Sequence, residues 1–146
     1  MRINAFLFES PMFAITRAAR RFDALAAQAL SAEGLSFLEA LVLAAVFFES
    51  PQVIKPSQLA ETFGTTRGNV SHCISSLEAR GLLQRKIDPA DARAYYLHLK
   101  PQGKRAALQV IGALDRLQRG FEKEVGKSAL STMLQTLRRL ETTYND

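Results

Sequence analysis

The sequence predicts a mainly helical fold carrying one small β-hairpin, and three observations lead there. Apolar residues recur at alternating steps of three and four: Ile15, Ala18, Phe22, Leu25, Ala29; Ala107, Val110, Leu114, Leu117, Phe121; and Leu130, Met133, Leu137, Leu140, Tyr144. That spacing lines one face of an α-helix. Alternation with a period of two shows in residues 94–99, where Tyr95, Leu97 and Leu99 oppose Tyr96 and His98, as in a half-buried strand. Composition, at 47% hydrophobic and 23% charged over 146 residues, is that of an ordinary globular chain and excludes disordered and collagen-like classes.

A chain of this length suits one domain, residues 1–146. The longest apolar run, Ala40 to Phe48, is nine residues against the ~20 of a membrane span, so no membrane partner is expected. The first residues show neither a long apolar stretch nor a small-residue cleavage site, unlike a signal peptide. The lone cysteine, Cys73, cannot form an intrachain disulfide framework, so a cytoplasmic location is the expectation.

Each element has its own signal. Ser10-Pro11 pairs a capping serine with a proline at the first helical position, opening a helix over residues 11–30 that Gly34 follows. Ser36 and Glu39 fit a capping box. The helix after them, residues 37–49, is apolar nearly all round and belongs at the domain centre. Pro51 ends it before a short extended stretch. Pro56 or Ser57 opens a short helix with Leu59, Ala60 and Phe63, closed by Gly64. Thr65-Thr66 caps a second, residues 67–80, with Val70, Ile74 and Leu77 on one face and Gly81 at its end. Two short helices about a tight glycine turn make a helix-turn-helix. Residues 82–87 and 94–99 read as strands around a tip at 88–93, which makes the hairpin a wing. Helices over residues 101–126 and 128–143 complete a winged helix-turn-helix with long N- and C-terminal helices.

Charge is unevenly placed. Between Thr65 and Arg105 lie eight bases and three acids, a net of +5, while eleven of each sign elsewhere cancel. A basic block on a neutral scaffold fits a polyanion, because cations that displace condensed counterions supply affinity; a solvated surface kept for solubility is the alternative. On the 67–80 helix the face opposite Val70 and Leu77 is small and polar. Arg67 can fork onto guanine or phosphate, Asn69 and His72 can hydrogen-bond base edges, and Gly68 lets the backbone approach. Thr66, Ser71 and Ser75 complete the candidate double-stranded DNA contacts on this helix. Arg85, Lys86 and Arg93 add them from the hairpin, with Asp91 placed to orient Arg93 by a charge-assisted bond. An ordinary exposed helix beside a local Asp–Arg pair is the bland alternative.

These motifs resemble the multiple-antibiotic-resistance regulator (MarR) family of winged-helix transcription factors. The likeness covers about residues 35–103 and rests on Gln58-Leu59-Ala60, residues 64–70, the Leu77-Glu78-Ala79-Arg80-Gly81-Leu82-Leu83 turn and the Asp88-Pro89-Ala90-Asp91-Ala92-Arg93 wing. Ala92 departs from a second basic residue common in the family, and Lys100-Pro101 replaces a threonine helix start. The resemblance implies a homodimer formed by residues 1–34 and 101–146 around a 35–100 DNA-binding lobe, acting as a ligand-responsive repressor on a pseudo-palindromic operator. The long apolar seams agree with pairing, which would space two reading helices ~34–36 Å apart; a monomer with its seams packed together is the alternative. The resemblance further implies a small aromatic or phenolic anion near Phe13, Arg17, Arg21, Phe37 and Leu41, where plain core packing competes for the apolar side chains. From another class, a winged-helix protein-interaction module without an operator fits the same pattern.

No enzyme is expected. His72 and Cys73 are adjacent on a helix and diverge by ~100°, so they form no nucleophile–base pair. Cys73 falls beside the Val70/Leu77 face as a small core residue. Two histidines and one cysteine without ligand spacing predict no metal site, and no phosphate-binding glycine loop or other cofactor motif is present.

Overall fold

The computed structural model describes residues 2–143, in which seven α-helices and one two-stranded hairpin are found. Helix α1, Arg2–Phe8, has too few residues to show a period and was not expected from the sequence. Helix α2, Pro11–Ala29, starts as predicted, with the Ser10 hydroxyl accepting the Phe13 amide at 3.2 Å. A single 3-10 turn, Ser31–Glu33, and Gly34 separate it from α3, Phe37–Glu49. The capping box forms, Glu39 N to Ser36 Oγ at 3.1 Å and Ser36 N to Glu39 Oε2 at 2.8 Å.

Helices α4, Pro56–Thr62, and α5, Arg67–Ala79, form the helix-turn-helix and pack on each other. Both end in glycine-dependent caps. Gly64 and Gly81 take φ of +59° and +71°, a region that favours residues without a Cβ. After Gly81 the Leu82 amide returns to the Leu77 carbonyl at 3.0 Å and the Gly81 amide to Glu78 at 3.0 Å, a double closure that stops the helix. Leu82 belongs to that cap, so strand β1 runs Leu83–Asp88, one residue later than expected.

Strand β2, Asp91–Leu99, pairs antiparallel with β1, Leu83 opposite Leu99 and Ile87 opposite Tyr95. The sequence predicts a tip over residues 88–93; the structure narrows it to Pro89-Ala90. The buried Asp88 carboxylate accepts the Ala90 amide at 2.9 Å, which turns the chain within two residues. Arg93 therefore stands on the strand. The extended stretch after Pro51 ends in an antiparallel bridge, Leu97 N to Ile54 O at 3.2 Å.

The described chain divides into two compact units, up to Ile111 and from Gly112, with the boundary inside α6, Pro101–Val125. The first unit is built around α3, which buries Ala40, Val42, Leu43, Ala44 and Val46 and packs on α2, α5 and β2. Leu43, Leu59, Ile74, Leu77 and Leu83 are fully enclosed. Each such side chain contributes about 1.5–3 kcal/mol relative to exposure, so the lobe has its own core. The second unit comprises the remainder of α6 and α7, Lys127–Thr142. No described residue of α7 is buried; Tyr144, placed in its seam from sequence, lies outside the described residues. The seam of α2 is likewise open, with Ile15 at 39%, Phe22 at 46% and Leu25 at 39% exposure.

Candidate nucleic-acid interface

Thr66 fixes the start of α5: its Oγ1 accepts the Asn69 amide at 3.1 Å, and the Asn69 side-chain amide donates to Thr65 Oγ1 at 3.0 Å. From that start the helix buries Val70, Cys73, Ile74 and Leu77. It leaves Arg67, Gly68, Asn69, Ser71, His72 and Ser75 exposed, with Thr66 beside them. One helical surface thus brings together all seven residues that the sequence nominated there. Cys73 is a free, buried thiol. Burial first and the Glu39 charge second raise its pKa, which keeps it protonated and poorly nucleophilic.

The hairpin residues separate into two groups. Lys86, Asp91 and Arg93 are exposed, and neither base is in an ion pair among the described residues. Asp91 does not hold the Arg93 guanidinium; its Oδ1 accepts the Arg93 backbone amide at 3.0 Å, because at a separation of two the carboxylate closes a local turn instead. Arg85 is engaged within the protein. Its guanidinium pairs with Glu78, donates to Ser75 Oγ at 2.9 Å and lies 5.3 Å from the Tyr95 ring centre. Its backbone amide also donates to Glu78 Oε1 at 3.1 Å. Arg85 joins α5 to the wing.

Two residues outside the sequence-based set hold this surface. Glu78 receives Arg85, a helix-to-strand pair that no single-element spacing rule would flag. Asp88, 4% exposed, sits at the base of the tip with Lys55 Nζ at 3.3 Å. The Ala90 amide, then the Tyr96 hydroxyl and Lys55, hold its carboxyl below the ordinary aspartate range. Lys55 Nζ also lies 5.4 Å from the Tyr96 ring centre. The wing is thereby tied to the residue that precedes α4.

Of the proposed ligand residues, Phe13, Arg17, Arg21 and Phe37 are exposed and Leu41 half-buried. None lines the cleft of about 420 Å³ between the end of α3, residues 50–52, the end of β2 and Lys104. His98 in that cleft has its pKa lowered by burial and by Lys86. Among the described residues no group of three His, Cys, Asp or Glu could hold a metal ion, and no helix is long and apolar enough to cross a membrane.

An exposed polar helix on a buried apolar one, braced to a basic antiparallel hairpin, defines a winged helix-turn-helix protein. A model of the MarR family matches residues 33–94 of this chain. A candidate transcriptional regulatory protein for the hcr operon of Thauera aromatica is 29% identical over 87 residues, 60% of this chain and 52% of that protein. The chain thus spans about half the length of that relative. MepR of S. aureus, solved with DNA, superposes with a TM-score of 0.85 at 15% identity, over 92% of this chain and 98% of that one. CouR from Rhodococcus jostii RHA1, solved with p-coumaroyl-CoA, gives 0.79 at 20% identity over 94% and 95%. At these identities the likeness to the two structures establishes the fold.

Proposed function

We propose that the chain is a sequence-specific DNA-binding repressor that occupies a pseudo-palindromic operator as a homodimer. The carrying observation is the partition of α5: every residue it buries is apolar or the neutral Cys73, and Arg67, Asn69 and His72 stand outward beside Lys86 and Arg93. In this reading α5 enters the major groove, with Arg67, Asn69 and His72 at base edges and Thr66, Ser71 and Ser75 near phosphates. Arg93 and Lys86 contact the backbone or minor groove. Gly68 supports it. A Cβ there would meet nothing closer than Thr66 Oγ1 at 3.8 Å, so packing does not require its smallness, whereas close approach of a duplex does. MepR, solved with DNA on the same fold, lends further support.

Dimerisation through residues 1–34 and 101–146 is supported by the open seams of α2 and α7, which a second copy would cover. A small aromatic or phenolic anion is the proposed effector, with Arg17 or Arg21 meeting its charge and Phe13, Phe37 and Leu41 its ring; the p-coumaroyl group of the CoA thioester in the CouR complex is a phenolic ring held on the same fold. Such an effector acts by binding better to a dimer whose reading helices are misplaced.

Selection of bound duplexes from a random pool tests the reading. Recovery of two-fold-related half-sites about one helical turn apart is the expected result, with affinity falling as salt rises on a log–log slope several units negative. A pool that stays random, with no binding in dilute buffer, leaves a protein-interaction module instead.

A further inference from the structure

Arg80 belongs to the basic segment, yet its guanidinium is engaged within the protein. From the end of α5, Nη1 donates to the Gly34 carbonyl at 2.9 Å and Nη2 to the Glu33 carbonyl at 2.7 Å. Those carbonyls belong to the turn that joins α2 to α3. The same turn is held from α6: with its amide nitrogen toward Glu33, Gln109 donates to both carboxylate oxygens, at 3.0 and 2.9 Å. Glu39 in the first turn of α3 also feels the Arg80 charge. Three helices and the reading helix therefore converge on four residues, 31–34.

A planar guanidinium that spans two successive carbonyls fixes orientation as well as distance, and a lysine ammonium, being a point charge, does not. Carbonyls at a helical end carry partial negative charge, which strengthens the grip. We infer that residues 31–34 form a joint clamped by Arg80 and Gln109, and that Arg80 is a positioning residue setting α5 against α2 rather than a phosphate contact. This rests on the reading that α5 enters DNA. A displacement of α2 is passed to α5 through two directed bonds across 46 and 47 residues of sequence.

The test uses the full chain, a selected duplex and the variants Arg80→Gln, Arg80→Lys and Arg93→Ala, each titrated over a range of salt. Both Arg80 variants should lose roughly tenfold in affinity at every salt concentration with the log–log slope unchanged, while Arg93→Ala should lower the slope by about 0.9. A slope reduced by about one unit in Arg80→Gln, or full affinity in Arg80→Lys, overturns the assignment. Without DNA, hydrogen exchange at residues 31–36 should quicken in Arg80→Gln and in Gln109→Ala while α4 keeps its protection; unchanged exchange there also overturns it. If the wild-type chain binds no duplex, the functional reading fails and exchange alone still judges the joint.

Discussion

Arg85 of the hairpin grips Glu78 of α5 twice, its backbone amide on Oε1 at 3.1 Å and its guanidinium on Oε2. The side chains are 27% and 35% exposed, so solvent screens the ion pair. Its value is geometric: strand and helix are held at one distance although they share no regular element. In a Glu78→Gln/Arg85→Lys double-mutant cycle read by urea unfolding, the coupling should be about 0.5–1 kcal/mol. A coupling near zero would mean the pair sets no geometry.

Arg67 and Arg93 should separate by what they read. Arg93→Ala is expected to weaken all duplexes alike and to reduce the salt slope by about 0.9. Arg67→Ala and His72→Ala should also change preference among sequences, by about 1–3 kcal/mol at the base concerned. Competition titrations against a panel of single-base variants measure both; an unaltered preference in Arg67→Ala and His72→Ala would remove α5 from base readout.

Gly103 lies against the Leu82 carbonyl so closely that a Cβ would stand 1.7 Å from its oxygen. That oxygen also accepts the Lys100 amide at 2.9 Å. Gly103→Ala must push the first turn of α6 off the cap of α5, costing about 1–3 kcal/mol or more. Thermal unfolding should show a clear fall in Tm, whereas Gly68→Ala, whose Cβ would meet only Thr66 Oγ1 at an unstrained 3.8 Å, should leave stability equal or slightly higher.

Asp88 should make stability depend on acid. Its folded pKa lies below the ordinary 3.8, so its contribution is present in full above that unfolded value and is lost as pH falls through the lower folded one. Urea unfolding between pH 5 and 2 should therefore show wild type losing more stability than Asp88→Asn, the variant being the weaker at pH 7. Parallel pH curves for the two proteins would contradict this.

Leu140, 45% exposed on α7, offers a test of pairing that spares the lobe. Leu140→Glu should shift sedimentation from dimer toward monomer, while far-ultraviolet circular dichroism and the lobe's unfolding transition stay close to wild type. An unchanged sedimentation coefficient in a dimeric wild type would place the interface elsewhere.

Much of this was local and therefore readable. Ser10, Ser36 with Glu39, and Thr66 each announced a helix start, and each makes its cap. The faces of α5 followed from a 100° step, and Val70, Ile74 and Leu77 are buried as that step required. Helix α1 escaped because seven residues hold too few turns for a period to show. The tip of the wing is shorter than residues 88–93 because Pro89 and the aspartates mark a turn without specifying how many residues it takes.

The sequence alone determined which elements form and which face of each is apolar, since both depend on neighbours a few residues apart. Only the tertiary structure decided what each charge does. Arg67 and Arg93 stay outward, whereas Arg80 is drawn to the carbonyls of Glu33 and Gly34 and Arg85 to Glu78. All four are the same residue in the same basic segment. Their partners lie on other elements, and a guanidinium takes whichever acceptors the folded backbone brings within about 3 Å.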